Sequence, residues 1–436
     1  MPLKVLLFLS AYFGCAVGAL FRPVLGVCGY ILTYALYNRH VWWGEVLAQY
    51  HIRYSFVMAV FILLGMVIQK RRTRWAVRPS NKLEVSIYLF TGIVVLSLIF
   101  GLSPDEESYF LLDKMLKVSF FIYMLTRVVD SLKNYDMVVY TLITTGIILA
   151  VQSYQAPPEM FFHGRLDALG GMDFVGSNEL AIYLCVVLCF LGTFFLRAKN
   201  WITKFFLAPG AALVLNAIIL TRARAVFVAI LAAGVYSVIF IPKRFRKKLI
   251  VITILAIAMF LKLADPSFWD RMTTLKNYEQ EKSASLRIQI WSASLKMLKE
   301  YPLGVGVGNF KRTIGNYDQR VVSRDAHNTF VRCYGELGMP GLILFAFILL
   351  LVFNHLRYAK SLSSDTHDTE LFLRFKLDAF ALSLAILVYL VGGNFHTHLY
   401  TEAMWWLLAL PICLQNAVLK ESNRKPIRIK GTSNVQ

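Results

Sequence analysis

Apolar runs that recur from one end of this chain to the other limit its fold more than any other feature. Thirteen can be marked, the first over residues 3–20 and the last over 404–414. Several are shorter than the ~20 residues that an upright helical span needs. In hydrocarbon every backbone N–H and C=O must be bonded within the protein, so continuous apolar runs predict helices. A membrane β-barrel would need short strands of alternating polarity instead. The expected fold is all-α, a polytopic membrane bundle of about 12–13 transmembrane segments. Composition agrees. Of 436 residues, 57% are hydrophobic and 17% charged, with a mean hydropathy of +0.56, whereas a soluble domain carries about 25% charged residues. Disorder and a small disulfide-stapled secreted domain are excluded.

The net charge is +20, from 46 Lys+Arg against 26 Asp+Glu. In a soluble chain that would point to nucleic acid. Here the basic residues sit in short linkers between apolar runs, so topology accounts for the charge and no nucleic-acid partner is expected. The clusters are Lys70, Arg71, Arg72, Arg74, Arg78 and Lys82, then Arg127 with Lys133, Arg197 with Lys199 and Lys204, Lys243 to Lys248, Arg357 to Lys376, and a tail from Lys420 to Lys430. If the helices alternate, these share one side, which the positive-inside bias makes cytoplasmic. The intervening linkers, 103–114, 156–179, 262–338 and 392–403, hold acids, glycines and histidines and belong outside. The expected divisions are N-terminal transmembrane helices over 1–261, an external loop region with amphipathic helices over 262–338, C-terminal transmembrane helices over 339–419 and a basic cytoplasmic tail over 420–436. Two separate N-terminal spans put the N-terminus outside, whereas a single crossing puts it inside. No small-x-small cleavage site follows the first run, so it reads as part of the mature chain. The six cysteines lie mostly in apolar runs, and neither a disulfide framework nor a zinc site is read from them.

The chemistry-bearing residues lie mainly in the external linkers. Within 262–338, Ile288, Trp291, Leu295 and Leu298 are spaced three and four apart and predict an amphipathic helix with one apolar stripe, Arg287 near its edge. Gly304, Gly306 and Gly308 alternate just beyond it. They suit a turn or a phosphate loop, although a phosphate loop would be expected to end in Gly-Lys-Ser/Thr. His327 stands just before an apolar run, where an imidazole can serve as a base near neutral pH or simply cap a helix. Arg222 and Arg224 interrupt another apolar stretch. Guanidinium at such a depth calls for an anionic partner, unless the pair snorkels from a helix end. Arg224, Arg287 and His327 are distant in sequence, yet alternation puts all three on the external face. Two arginines and a histidine at one cleft suit a lipid-linked phosphate or diphosphate, bound by the arginine fork, with the histidine activating a hydroxyl. His163, Asp167, Asp173, His396 and His398 are further candidates for the same cleft, or ordinary loop residues.

Four stretches resemble the O-antigen ligase family of bacterial membrane glycan ligases and polymerases. His327-Asn328, nine residues, then Gly338 and Gly341 resembles the family's His-Asn-x9-Gly-x-x-Gly signature. Thr221-Arg222-Ala223-Arg224-Ala225 stands where the family has a Ser-Arg-Gly-like break, with Arg224 the match and Arg222 its neighbouring alternative. Ser285-Leu286-Arg287 through Trp291 to Pro302-Leu303-Gly304-Val305-Gly306 is similar to an Arg–Trp–Pro–Gly-x-Gly segment. The Gly171 to Leu180 stretch, which contains Asn178, resembles a Gly-rich loop that ends in Asn before a helix. The N-terminal half, with Arg22-Pro23 and a Trp-containing loop, resembles the exosortase-associated ligase subgroup.

The resemblance implies an inverting glycosyltransferase without cofactor or metal. It would move a glycan from an undecaprenyl diphosphate carrier to an acceptor hydroxyl at the periplasmic face of the inner membrane. His327, Arg287 and Arg224 would be catalytic, with Arg222, Asn328, Asn178 and Arg332 binding substrate. Its partners would be the polyprenyl-diphosphate-linked glycan donor, a lipid A-core, protein or glycan acceptor, and membrane lipids. A polysaccharide polymerase of the same family shares this chemistry. A lipid-linked glycan transporter is the non-enzyme alternative, which would call for internal repeats and mid-membrane polar residues.

Overall fold

The structure, a computed structural model, describes residues 3–37, 43–73, 81–162, 164–167, 169–174, 176–263, 278–364 and 369–424. His163 and the end of the basic tail lie outside them. The helices in chain order are α1 (Leu3–Phe21), α2 (Pro23–Leu36), the single turn α3 (Glu45–Ala48), α4 (Tyr54–Thr73), α5 (Lys82–Phe100), α6 (Glu106–Val128), α7 (Leu132–Tyr154), α8 (Ser177–Arg197), α9 (Trp201–Thr221), α10 (Arg224–Phe240), α11 (Arg246–Leu263), α12 (Tyr278–Glu300), the short α13 (Phe310–Thr313), α14 (Thr329–Ser364), α15 (Thr369–Gly392) and α16 (Glu402–Arg424). One two-stranded hairpin pairs β1 (Phe161–Phe162) antiparallel with β2 (Arg165–Leu166).

The helices begin where short polar side chains meet free backbone donors. Asn81 accepts the Glu84 N–H at the start of α5, and Asp105 and Ser108 form a capping box on α6. Their buried faces build one core that runs from Val5 on α1 to Val418 on α16, with Trp405 and Phe345 at its centre. Outward faces stay apolar: α11 has no buried residue, and Ile250, Ile254, Leu255 and Leu261 are all exposed. Exposed apolar surface on this scale is what lipid solvates.

Among the described residues, eight helices are long and apolar enough to cross a membrane, or nine if α10 and α11 count as one broken span. All thirteen expected runs are helical, but fewer qualify as full spans than the 12–13 anticipated. The reasons are physical. The α2 helix has 14 residues, α6 carries Glu106, Glu107, Asp113, Lys114 and Lys117, and α10 meets α11 at a 115° bend.

The two ends of the bundle differ in charge chemistry. At one end the basic linkers meet acids: Arg127 pairs with Glu84, Lys420 with Asp130, and Arg197 bridges Asp136 and Asp378. The other end carries His327. The N-terminus belongs to that second end, because α1 and α2 form a hairpin. The Phe8 ring lies 6.0 Å from Tyr37 beyond α2, while at the far end of α1 the Phe21 carbonyl accepts from Gln69. The Gly171 N–H in turn donates to Ala35 at 3.0 Å, which ties the end of α2 to the glycine-rich loop.

The apolar stripe expected on α12 faces mainly outward. Ile290, Ala293, Ser294 and Met297 are buried, whereas Ile288 and Leu295 are exposed and Trp291 and Leu298 are only partly covered. Ile288 and Leu295 turn away from the protein, whereas Ile290 packs inward.

Candidate active site

His327 is held by its neighbours in the chain and behind it. Asp325 Oδ2 accepts its backbone N–H at 3.2 Å, and the residue has a positive φ of 47°. That region costs a non-glycine residue on the order of 1–3 kcal/mol, so the surroundings must enforce it. Trp291 Nε1 donates to the Ala326 carbonyl at 3.1 Å, which pins the loop to α12. Arg332 braces it from behind. Its Nε reaches Glu336 at 2.9 Å, Nη1 reaches Asp325 at 3.0 Å and Nη2 reaches Glu107 at 2.8 Å. Burial alone would raise the Asp325 carboxyl, but Arg332, Thr397 and the His327 N–H hold it below its ordinary value.

Arg332 and Asn328, both expected to bind substrate, therefore sit within the scaffold. Arg332 is buried with all three of its nitrogens on carboxylates. Asn328 is buried as well, and its Oδ1 accepts the N–H groups of Phe330 and Val331 at the start of α14. The glycine loop is also scaffold. Val305 N–H goes to Gly335 O at 3.0 Å, Gly306 N–H to Glu336 O at 2.9 Å and Val307 N–H to Ser97 Oγ at 3.1 Å. With those donors spent, a phosphate finds no cradle there. Gly338 breaks α14 at φ 65°, ψ −167°. A Cβ on it would come within 2.3 Å of the Leu303 carbonyl carbon, and one on Gly304 within 2.3 Å of the Glu336 oxygen. The two glycines let the loop and the broken helix interlock beneath His327.

Burial pushes the His327 pKa below its usual value. The neighbouring His396 and Arg287 push the same way, and Asp325 and Glu179 oppose them. Its imidazole is thus biased toward the neutral form that accepts a proton. Arg287, half-buried on α12, is among the charges that act on it, and burial lowers the Arg287 pKa too. Arg287 makes no hydrogen bond or ion pair with any described residue, a costly state for guanidinium unless an anion arrives.

A second cationic group forms at the α9–α10 break. Arg222 ends α9 in the left-handed conformation, and Arg224 opens α10. Arg165 of β2 lies among them. Its Nε approaches the Thr221 carbonyl at 3.4 Å, its Nη2 approaches Asn178 Oδ1 at 3.5 Å, and its charge acts on Arg224. The Arg222 guanidinium packs against Gly164. Asn178 is thus placed beside the cations at the start of α8. Asn178 is followed by Glu179, whose Oε1 lies 2.5 Å from His396 Nε2. The His396 ring centroid is 5.9 Å from that of His327.

Arg224, Arg287 and His327 accordingly lie at one end of the bundle, in two groups joined through Glu179 and His396. Of the further candidates, His396 joins the site. Asp167 instead caps α8 by accepting the Ser177 N–H, Asp173 pairs with Lys114, and His398 is buried behind His396. Arg165, Glu179 and His396 were absent from the expected catalytic and binding set.

Residues 209–346 match the family model described as O-antigen ligase, Wzy_C. This stretch includes the α9–α10 break with Arg222 and Arg224, Arg287, His327, Asn328 and both interlocking glycines. No curated protein matches the chain. With its apolar helices the chain is a multi-pass membrane protein, and its stretch over 209–346, which carries both arginine segments and the histidine, is similar to the O-antigen ligase family.

Proposed function

We propose that this protein is an inverting glycosyltransferase that moves a glycan from undecaprenyl diphosphate to an acceptor hydroxyl, with its active site on the periplasmic side of the inner membrane. The convergence of Arg287, without an ion pair among the described residues, with a neutral-biased His327 carries this reading. The cations at the α9–α10 break supply further positive charge at the same end. The acceptor O–H gives its proton to His327 as its oxygen bonds to the anomeric carbon. The bond from that carbon to the carrier breaks, and its electron pair leaves on the diphosphate. Arg287 and Arg224 hold those oxygens, with Arg222 and Asn178 beside them. Fixed donors aimed at such a growing charge are worth roughly 3–4 kcal/mol each. A positioned base adds about 10²–10⁴-fold.

The test uses purified protein, a defined polyprenyl-diphosphate glycan and mass analysis of the product. His327→Ala and Arg287→Ala are expected to abolish transfer while leaving insertion and folding intact. Full activity in both variants ends this reading. The same product distinguishes a ligase, which makes one transfer to lipid A-core or protein, from a polymerase, which lengthens a lipid-linked chain.

A further inference from the structure

The transfer chemistry above leaves one cluster beside His327 without a task. Glu179, in the first turn of α8, and His396, in the loop between α15 and α16, are about four-fifths buried, at 20% and 19% side-chain exposure. One hydrogen bond joins them, from His396 Nε2 to Glu179 Oε1. Each also keeps a buried atom without a partner among the described residues, His396 Nδ1 and Glu179 Oε2. Two unmet buried atoms at one contact are expensive. A contact that served packing alone would be replaced at lower cost by apolar side chains.

The charges that face His327 define what the cluster does. Asp325 lies on its own loop, Arg287 comes from α12, Glu179 from α8 and His396 from the loop after α15. His396 itself is faced by Glu179, His327 and His398. When His327 takes a proton, the new positive charge is opposed by Arg287. Asp325 already answers Arg332 and Thr397. Glu179 contacts no guanidinium or ammonium among the described residues, so its charge remains available.

We propose that Glu179 and His396 form a positioning pair that strengthens His327 as a base. The His396 Nε2–H donates to the Glu179 carboxylate, and that carboxylate, one ring away, offsets part of the charge that His327 gains. No bond is made or broken at either residue. This inference rests on His327 being the base in the proposed transfer.

The experiment compares pH–rate profiles of full-length protein in proteoliposomes, with a polyprenyl-diphosphate glycan and a hydroxyl acceptor. Removing the negative charge lowers the proton affinity of His327. Glu179→Gln is therefore expected to move the acid limb to lower pH by on the order of half a unit to one unit, and to slow the plateau about tenfold. The donor KM should hold, and Glu179→Asp should restore most of the rate. An unmoved acid limb overturns the proposal, whether the rate is normal or reduced. Should Glu179→Gln not fold, Glu179→Ser, which also removes the charge, must show the same downward shift, and its absence there is equally fatal. His327→Ala is the separating arm. If it still transfers, the base assignment fails. If it is inactive while the Glu179→Gln limb stays in place, only the pair fails.

Discussion

Arg332 offers the sharpest test of how this site is built, because bracing and substrate binding predict opposite outcomes for the same substitution. Its three nitrogens meet Glu336, Asp325 and Glu107 at 2.8–3.0 Å, and Glu336 has no solvent exposure at all. In Arg332→Met the side-chain volume is largely kept, but the Glu336 carboxylate loses the only cation it meets among the described residues. Breaking a buried ion pair from one side costs about 3–5 kcal/mol. Tyr400 still donates to Glu336 Oε2 at 2.6 Å and moderates that loss only in part. The measurement is thermal unfolding in detergent, followed by tryptophan fluorescence, beside donor KM in the transfer assay. Arg332→Met should lower Tm by several degrees, on the order expected for that free energy in a chain of this size. The double variant Arg332→Met/Glu336→Gln should recover much of the loss, because a neutral amide in place of the carboxylate no longer needs a counter-charge. An unchanged Tm with a raised donor KM would refute the bracing role and return Arg332 to the substrate.

Two further outcomes follow from the same geometry. Gly338→Ala places a methyl 2.3 Å from the Leu303 carbonyl carbon in a backbone region open essentially to glycine, a conformational cost alone of about 1–3 kcal/mol. It should reduce folded yield and activity together, whereas Gly92→Ala on α5, with nothing within 4 Å, should be tolerated in a thermal-shift assay. Because burial lowers the His327 pKa, the wild-type kcat/KM should rise with pH through a midpoint below 6.5, the ordinary histidine value, and a midpoint above it would contradict the environment described.

The spans were legible because a continuous apolar run has few alternatives to a helix in lipid. The stripe on α12 was legible too, but not the side it faces. Large aliphatic side chains usually mark the buried face, yet Ile288 and Leu295 point outward. In a protein with a lipid-facing surface, size and hydrophobicity do not define the inside. His327, Arg287 and Arg224 were found because each is a polar interruption at a fixed depth, and alternation alone put them on one face. Glu179 and His396 could not be paired that way. They are 217 residues apart, and no local period relates an acid at a helix start to a histidine in a distant loop. Arg332 and Asn328 were visible as polar residues beside the histidine. Whether they face a ligand or the interior depends on partners such as Glu107, which lies 225 residues away.

The stretch over 209–346 that matches the family model is not a detachable module. Its glycine loop is stapled by Leu102 and its base loop by Glu107 and Thr397, and its arginines stand beside Arg165 and Asn178, all contributed by segments outside it. Excised, or grafted onto another helical membrane protein, it would carry the reactive side chains but not the framework that aims them.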